Sequence, residues 1–176
     1  MRNVTIGDMI DRASRNFFAL CTRSFIFGVE DSLVSTTGLL AGVATAGVSA
    51  GTIFLAGIVL IFVEAFSMAA GSFLSERSAE EYISREGLSM KYFIIGGGVM
   101  FLSYFISGFV PLLPYLLLPI SVALPVSVSL GLILLFVLGA VSAKLFGVNW
   151  VKSGLRMLLI GGVATFLGVF VGAVFK

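Results

Sequence analysis

The chain has 176 residues, 59% of them hydrophobic and only 11% charged, with a mean hydropathy of +1.13. Soluble globular domains are about 25% charged, so this composition excludes a water-soluble globule and any soluble enzyme. A net charge of +2 reports orientation in a membrane and gives no footing for nucleic-acid binding.

Taken in chain order, the first element is residues 1–23. Ile6, Met9, Ile10, Ala13, Phe17 and Leu20 recur at helical spacing, opposite Asp8, Asp11, Arg12 and Arg15. That pattern predicts an amphipathic helix lying on the cytosolic face of the membrane. Acids mixed with bases, and no small-residue cleavage site after an apolar core, exclude a signal peptide. Cys21 is the single cysteine, so neither an intrachain disulfide nor a thiolate cluster is available.

Five apolar runs follow, at about Ser24–Val48, Thr52–Ser75, Tyr92–Leu117, Val122–Leu145 and Leu155–Phe175. Each is long enough to cross a hydrocarbon core of roughly 30 Å and far too long for a barrel strand. The expected fold is therefore an all-α membrane protein, one five-helix domain over residues 24–176 with a short cytosolic loop at 76–91. Ten of the eleven Lys and Arg residues precede the first run or fall between the second and third or the fourth and fifth; Lys176 stands alone at the end. By the positive-inside rule the N-terminus is cytosolic and the C-terminus outside.

Within the first two runs lie Glu30, Asp31 and Glu64. A central acid costs about +2.5 to +3.5 kcal/mol on insertion scales, so intramembrane carboxylates mark a functional site by default. Asp31, Ser35, Gly38 and Gly42 form one stripe at i, i+4, i+7 and i+11; Glu64, Met68, Gly71 and Ser75 repeat that spacing on the second helix. At 1.5 Å per residue, Asp31 and Met68 lie roughly 10 and 12 Å from the cytosolic ends of their helices. The short connection Ala44–Gly51 makes the two helices antiparallel neighbours. Carboxylate oxygens and a thioether at one depth suit a divalent transition metal, and the absence of His argues against a tight zinc site. The same carboxyls can carry protons, so metal–proton exchange needs only acids that bind H⁺ and metal in alternation.

The remaining motifs concern shape and the mouth of the path. Gly38-x-x-x-Gly42 and Gly168-x-x-x-Gly172 are small-residue contact motifs, and Gly96, Gly97 and Gly98 loosen the start of the third helix. Pro111 and Pro114 are expected to end that helix, and Pro125 to kink the fourth. In the loop, Glu76 and Glu80 at i, i+4 are candidate ligands for an incoming ion, whereas Glu81 has Arg77 and Arg85 as ion-pair partners.

Four segments, Glu30–Gly42 (EDSLVSTTGLLAG), Ala65–Ser75 (AFSMAAGSFLS), Phe109–Leu116 (FVPLLPYL) and Leu155–Val163 (LRMLLIGGV), together resemble the vacuolar iron transporter family. The resemblance implies a homodimer of five-helix protomers that exports Fe²⁺, sometimes Mn²⁺, from the cytosol against protons along the dimer interface. It implies a membrane site built from the acid matched by Asp31 and the methionine matched by Met68, joined by Glu64. Ser32 and Ser72 depart from the family pattern, and the short loop replaces the Glu-rich cytosolic metal-binding domain that many members carry.

The expected function is thus export of a divalent transition metal, Fe²⁺ or Mn²⁺, in exchange for protons, with no enzymatic activity and no cofactor beyond the transported ion. Asp31, Glu64 and Met68 form the expected site, with Glu30 beside it and Glu76 and Glu80 at the cytosolic mouth. Expected partners are lipid, the metal ion, protons and a second copy of the chain. The default location is a cell membrane, or a vacuolar-type membrane in a eukaryote. Two other readings stand beside it: a proton-coupled exporter of organic cations lined by Phe62 and Phe66, and a membrane scaffold without flux.

Overall fold

Every apolar run folds as one helix, and each helix is longer than the run that predicted it. The computed structural model describes residues 6–83 and 90–176, with side chains from Arg15 onward apart from Asn16 and Ile83. In order they are α1 (Ile6–Thr45), α2 (Ala50–Ile83), α3 (Met90–Leu117), α4 (Ile120–Leu145) and α5 (Trp150–Val174). All five are long and apolar enough to span a membrane, and the chain is a multi-pass integral membrane protein.

The expected boundary at residue 23 falls inside α1, which runs for 40 residues without a break. The N-terminal five residues, and the side chains whose spacing predicted an interfacial face up to Ala13, lie outside the described residues. At the other end, Gly47 (φ 81°) and Gly147 (φ 67°) take left-handed conformations just past α1 and α4, where a side chain would be strained. The Asn149 side chain accepts from the Lys152 N–H at 3.1 Å and so caps α5.

The expected loop at 76–91 is shorter still, because α2 continues to Ile83. Arg77 and Glu81, one turn apart, form an ion pair at 2.7 Å that supports this extension. Arg85, the other expected partner, lies outside the described residues.

Around α1 the bundle closes: α1 touches all four other helices, α3 and α5 most closely. Small residues make this possible. A Cβ on Gly42 would stand 2.6 Å from the Gly168 carbonyl oxygen, and Gly168 and Gly172 meet the carbonyls of Gly38 and Gly42 more closely yet. Lipid tails offer no hydrophobic drive between helices, so such backbone contact supplies the van der Waals energy. Outward, Leu102, Ile106, Val163, Phe166 and Phe170 are exposed, as lipid-facing side chains should be.

The pairing of α1 with α2 differs from expectation. They are linked by a short turn, yet of the packed helix pairs theirs is the sparsest, and α2 rests mainly on α3. Glycines on α3 explain it. Gly108 lies against Ser32 of α1 and Ile61 of α2, and Gly97 against the backbone of Ala69. A thin face on α3 lets it wedge between the two. Gly96 likewise takes Leu20, so these glycines serve close packing.

Pro111 and Pro114 also depart from expectation: both are buried within α3, which ends only at Leu117. In a membrane bundle, neighbouring helices can re-satisfy backbone groups that a proline disturbs. At this point Ser127 Oγ of α4 donates to the Pro111 carbonyl at 2.6 Å and ties α3 to α4.

Candidate functional site

The acids sit at a depth between two cavities. At the end of the bundle that carries Arg23 and Glu76, hereafter the basic face, a cavity of about 580 Å³ opens between α1, α2 and α3. Ser24 and Phe27 of α1, Met68 and Ser72 of α2, and Met100 of α3 line it, and Arg23 and Glu76 stand at its rim. Asp31 lies one turn beyond Phe27, and Glu64 one turn beyond Met68, each about 6 Å deeper along its helix.

Past the acids, a second, apolar groove of about 590 Å³ continues along α1, α2 and α5, lined by Ser35, Gly38, Gly42, Leu60 and Gly168 among others. The two stripes read from sequence are thus divided: Met68, Gly71 and Ser75 line the first cavity, whereas Ser35, Gly38 and Gly42 line the second. Asp31 and Glu64 lie between them.

Although α1 and α2 touch little, the carboxylates of Asp31 and Glu64 are within electrostatic reach of one another, and both act on Tyr104 of α3. Tyr104 is fully buried. Its hydroxyl shares a 2.7 Å hydrogen bond with Ser35 Oγ, and its carbonyl accepts from Ser32 Oγ at 2.7 Å. Ser32, where the resembled family has Gly, therefore ties α1 to α3 directly behind Asp31. The arrangement can hold a cation between two acids against a hydroxyl-lined wall.

Of the other expected residues, Glu30 is half-buried and interacts with Asp31. Glu76 lines the cavity rim and is ion-paired with Arg23, while Glu80 lies one turn further along α2. Phe62 and Phe66 are 54% and 70% exposed and line neither cavity. Among the described residues no three of His, Cys, Asp and Glu are grouped to hold a metal. A ligand set in one protomer therefore needs a thioether or hydroxyls beside the acid pair.

Sequence reasoning missed Arg23, Ser24, Met100 and Tyr104. The signal for the last was present: Ser103, Tyr104 and Ser107 put three hydroxyls into the middle of an otherwise apolar helix. Replacing Tyr104 with Phe leaves Ser35 Oγ only the Ser32 carbonyl at 3.4 Å. Thermal unfolding in detergent should show a loss of about 1–3 kcal/mol, the usual cost of an unsatisfied buried polar group.

Comparison with known families decides the class. The VIT family model matches residues 22–94 and 89–173, nearly the whole chain beyond the first helical turns. The chain belongs to the VIT family. A search of the curated proteins finds no match. VIT family membership, that is, of the vacuolar iron transporters, makes metal-ion transport its activity class. In this VIT protein, the segments that carried the resemblance, Glu30–Gly42 and Ala65–Ser75, are the ones that flank the two cavities.

Proposed function

We propose that the protein exports Fe²⁺, and Mn²⁺ as a second substrate, from the cytosol in exchange for protons, working as a homodimer. One observation carries the reading: the Asp31 and Glu64 carboxylates come within electrostatic reach between two cavities, with Met68 one turn below them. Paired oxygens near a thioether favour a transition metal over Mg²⁺ or Ca²⁺. Carboxyls that hold H⁺ and metal in alternation suffice for exchange: an arriving dication displaces protons that the opposite compartment replaces.

The basic face is the cytosolic one on the positive-inside rule. A second copy of the chain is supported by the open groove along α1, flanked by α2 and α5, and by the lack, among the described residues of one protomer, of any group of three acids, His or Cys able to hold a metal. Doubling the acid pair across a two-fold axis gives four carboxylates to one path.

The test is uptake into proteoliposomes, with Fe²⁺, Mn²⁺, Co²⁺ or Zn²⁺ supplied outside and a pH-sensitive dye in the lumen. Fe²⁺ and Mn²⁺ should enter fastest, with the lumen turning alkaline as metal arrives because protons leave in exchange. Metal uptake at constant lumenal pH would remove the antiport. No uptake of any metal would remove the exporter and leave the scaffold reading.

A further inference from the structure

The cavity on the basic face carries a tethered cation at its rim. The Arg23 guanidinium is ion-paired with the Glu76 carboxylate at the rim, the arginine side chain 67% exposed and the glutamate only 21%. This pair spans α1 and α2, whose packing is the sparsest among the packed helix pairs. Ser24, next to Arg23, lines the cavity and is only 1% exposed, and its buried Oγ has no hydrogen-bond partner. Buried hydroxyls are rarely left unsatisfied, so an orphan on a cavity wall points to something that the cavity takes up.

What it takes up is set by the other walls. Met68 and Met100 bring two thioethers from α2 and α3, and Ser72 and Ser75 bring hydroxyls. An ion with a first shell of about six waters needs roughly 200 Å³ at ~30 Å³ per water, and the cavity offers about 580 Å³. One carboxylate with thioethers and hydroxyls favours a transition-metal dication that keeps part of its water.

We propose that this cavity is a waiting site for a divalent transition-metal ion, and that Arg23 is its latch, a tethered cation that occupies Glu76 until a dication displaces it. The proposal rests on the exporter reading for its place in transport, and on the cavity alone for binding. A latch of this kind discriminates by charge. Na⁺ or K⁺ gains no more from the carboxylate than the guanidinium with its hydrogen bonds already does, whereas a dication gains about twice the Coulomb attraction. Because the arginine is largely exposed, its hold is weak and its release is easy.

Binding of Co²⁺ alone tests it, by equilibrium dialysis on the full chain in lipid nanodiscs, in an Asp31→Asn background that disables the deeper acid pair. Arg23→Gln should tighten Co²⁺ binding about fivefold, the weight of a largely exposed ion pair. Glu76→Gln should abolish it, and joint Met68→Leu and Met100→Leu should weaken Co²⁺ while leaving Mg²⁺ as it was. Unchanged or weaker Co²⁺ binding in a folded Arg23→Gln protein would overturn the latch. Should that variant unfold, retention of Co²⁺ by Glu76→Gln would overturn the proposal on its own. Dialysis reads occupancy and not flux: a protein that shows these shifts but transports nothing sinks the exporter reading alone. One that transports metal but ignores Arg23 sinks only the latch.

Discussion

Replacing Asp31 with Asn should reduce metal uptake into proteoliposomes by at least about tenfold, the lower end of what even an indirect metal-site partner costs, with the fold intact. Asn matches Asp in size and keeps a hydrogen-bonding oxygen, so the packing of α1 around Ser32 and Tyr104 is undisturbed. What disappears is one of the two facing carboxylates between the cavities. Removing it also removes like-charge repulsion with Glu64, so the melting temperature should hold or rise while flux falls. Glu64→Gln should behave alike, and the double variant should lose little more than either single one, because both act on one ion. Full uptake in Asp31→Asn would take the acid pair out of the path. Lost uptake together with a collapsed melting transition would make Asp31 a structural residue.

The second large effect concerns the seam between α1 and α5. Gly168→Val should destabilise the protein by about 1–3 kcal/mol or more, the cost of over-packing a filled interface. Its side chain would meet the carbonyl of Gly38, which is helix backbone and has nowhere to go. Gly172→Val repeats the collision against Gly42. Gly162, on the same helix, has open space at its Cβ position, so Gly162→Ala should be neutral or gain up to about 1 kcal/mol from helix propensity. Thermal denaturation of the three variants in detergent checks this. Equal melting of Gly168→Val and Gly162→Ala would mean that the seam is not close-packed.

The number of helices and the membrane class were legible because runs of apolar residues that long have one stable form in lipid. The stripes from Asp31 and Glu64 were legible because helical spacing depends on the backbone alone. Neighbour relations were not. That α2 leans on α3 depends on Gly97 and Gly108 offering a thin face, and nothing in the linker length carries that information. The helix-ending reading of Pro111 failed for a related reason: a proline is tolerated inside a membrane helix that packs among neighbours, and those neighbours, Ser127 of α4 among them, lie elsewhere in the chain. The Arg23–Glu76 pair joins residues from separate helices, more than fifty positions apart in the chain, so no local spacing announces it. Tyr104 and its serine neighbours were visible as polar atoms in apolar surroundings, though the element they face was not.

The glycine seam has a further meaning for how the chain matures. Part of what fixes the first helix comes from the last one, so during synthesis α1 enters the bilayer long before one of its two main partners exists. Until α5 arrives, the backbone at Gly38 and Gly42 lacks its close partner, although α2 and α3 already surround the acids. The helix that is first to insert is therefore fully held only when the C-terminal helix has been made, and the groove past the acids gains its α5 wall at that step.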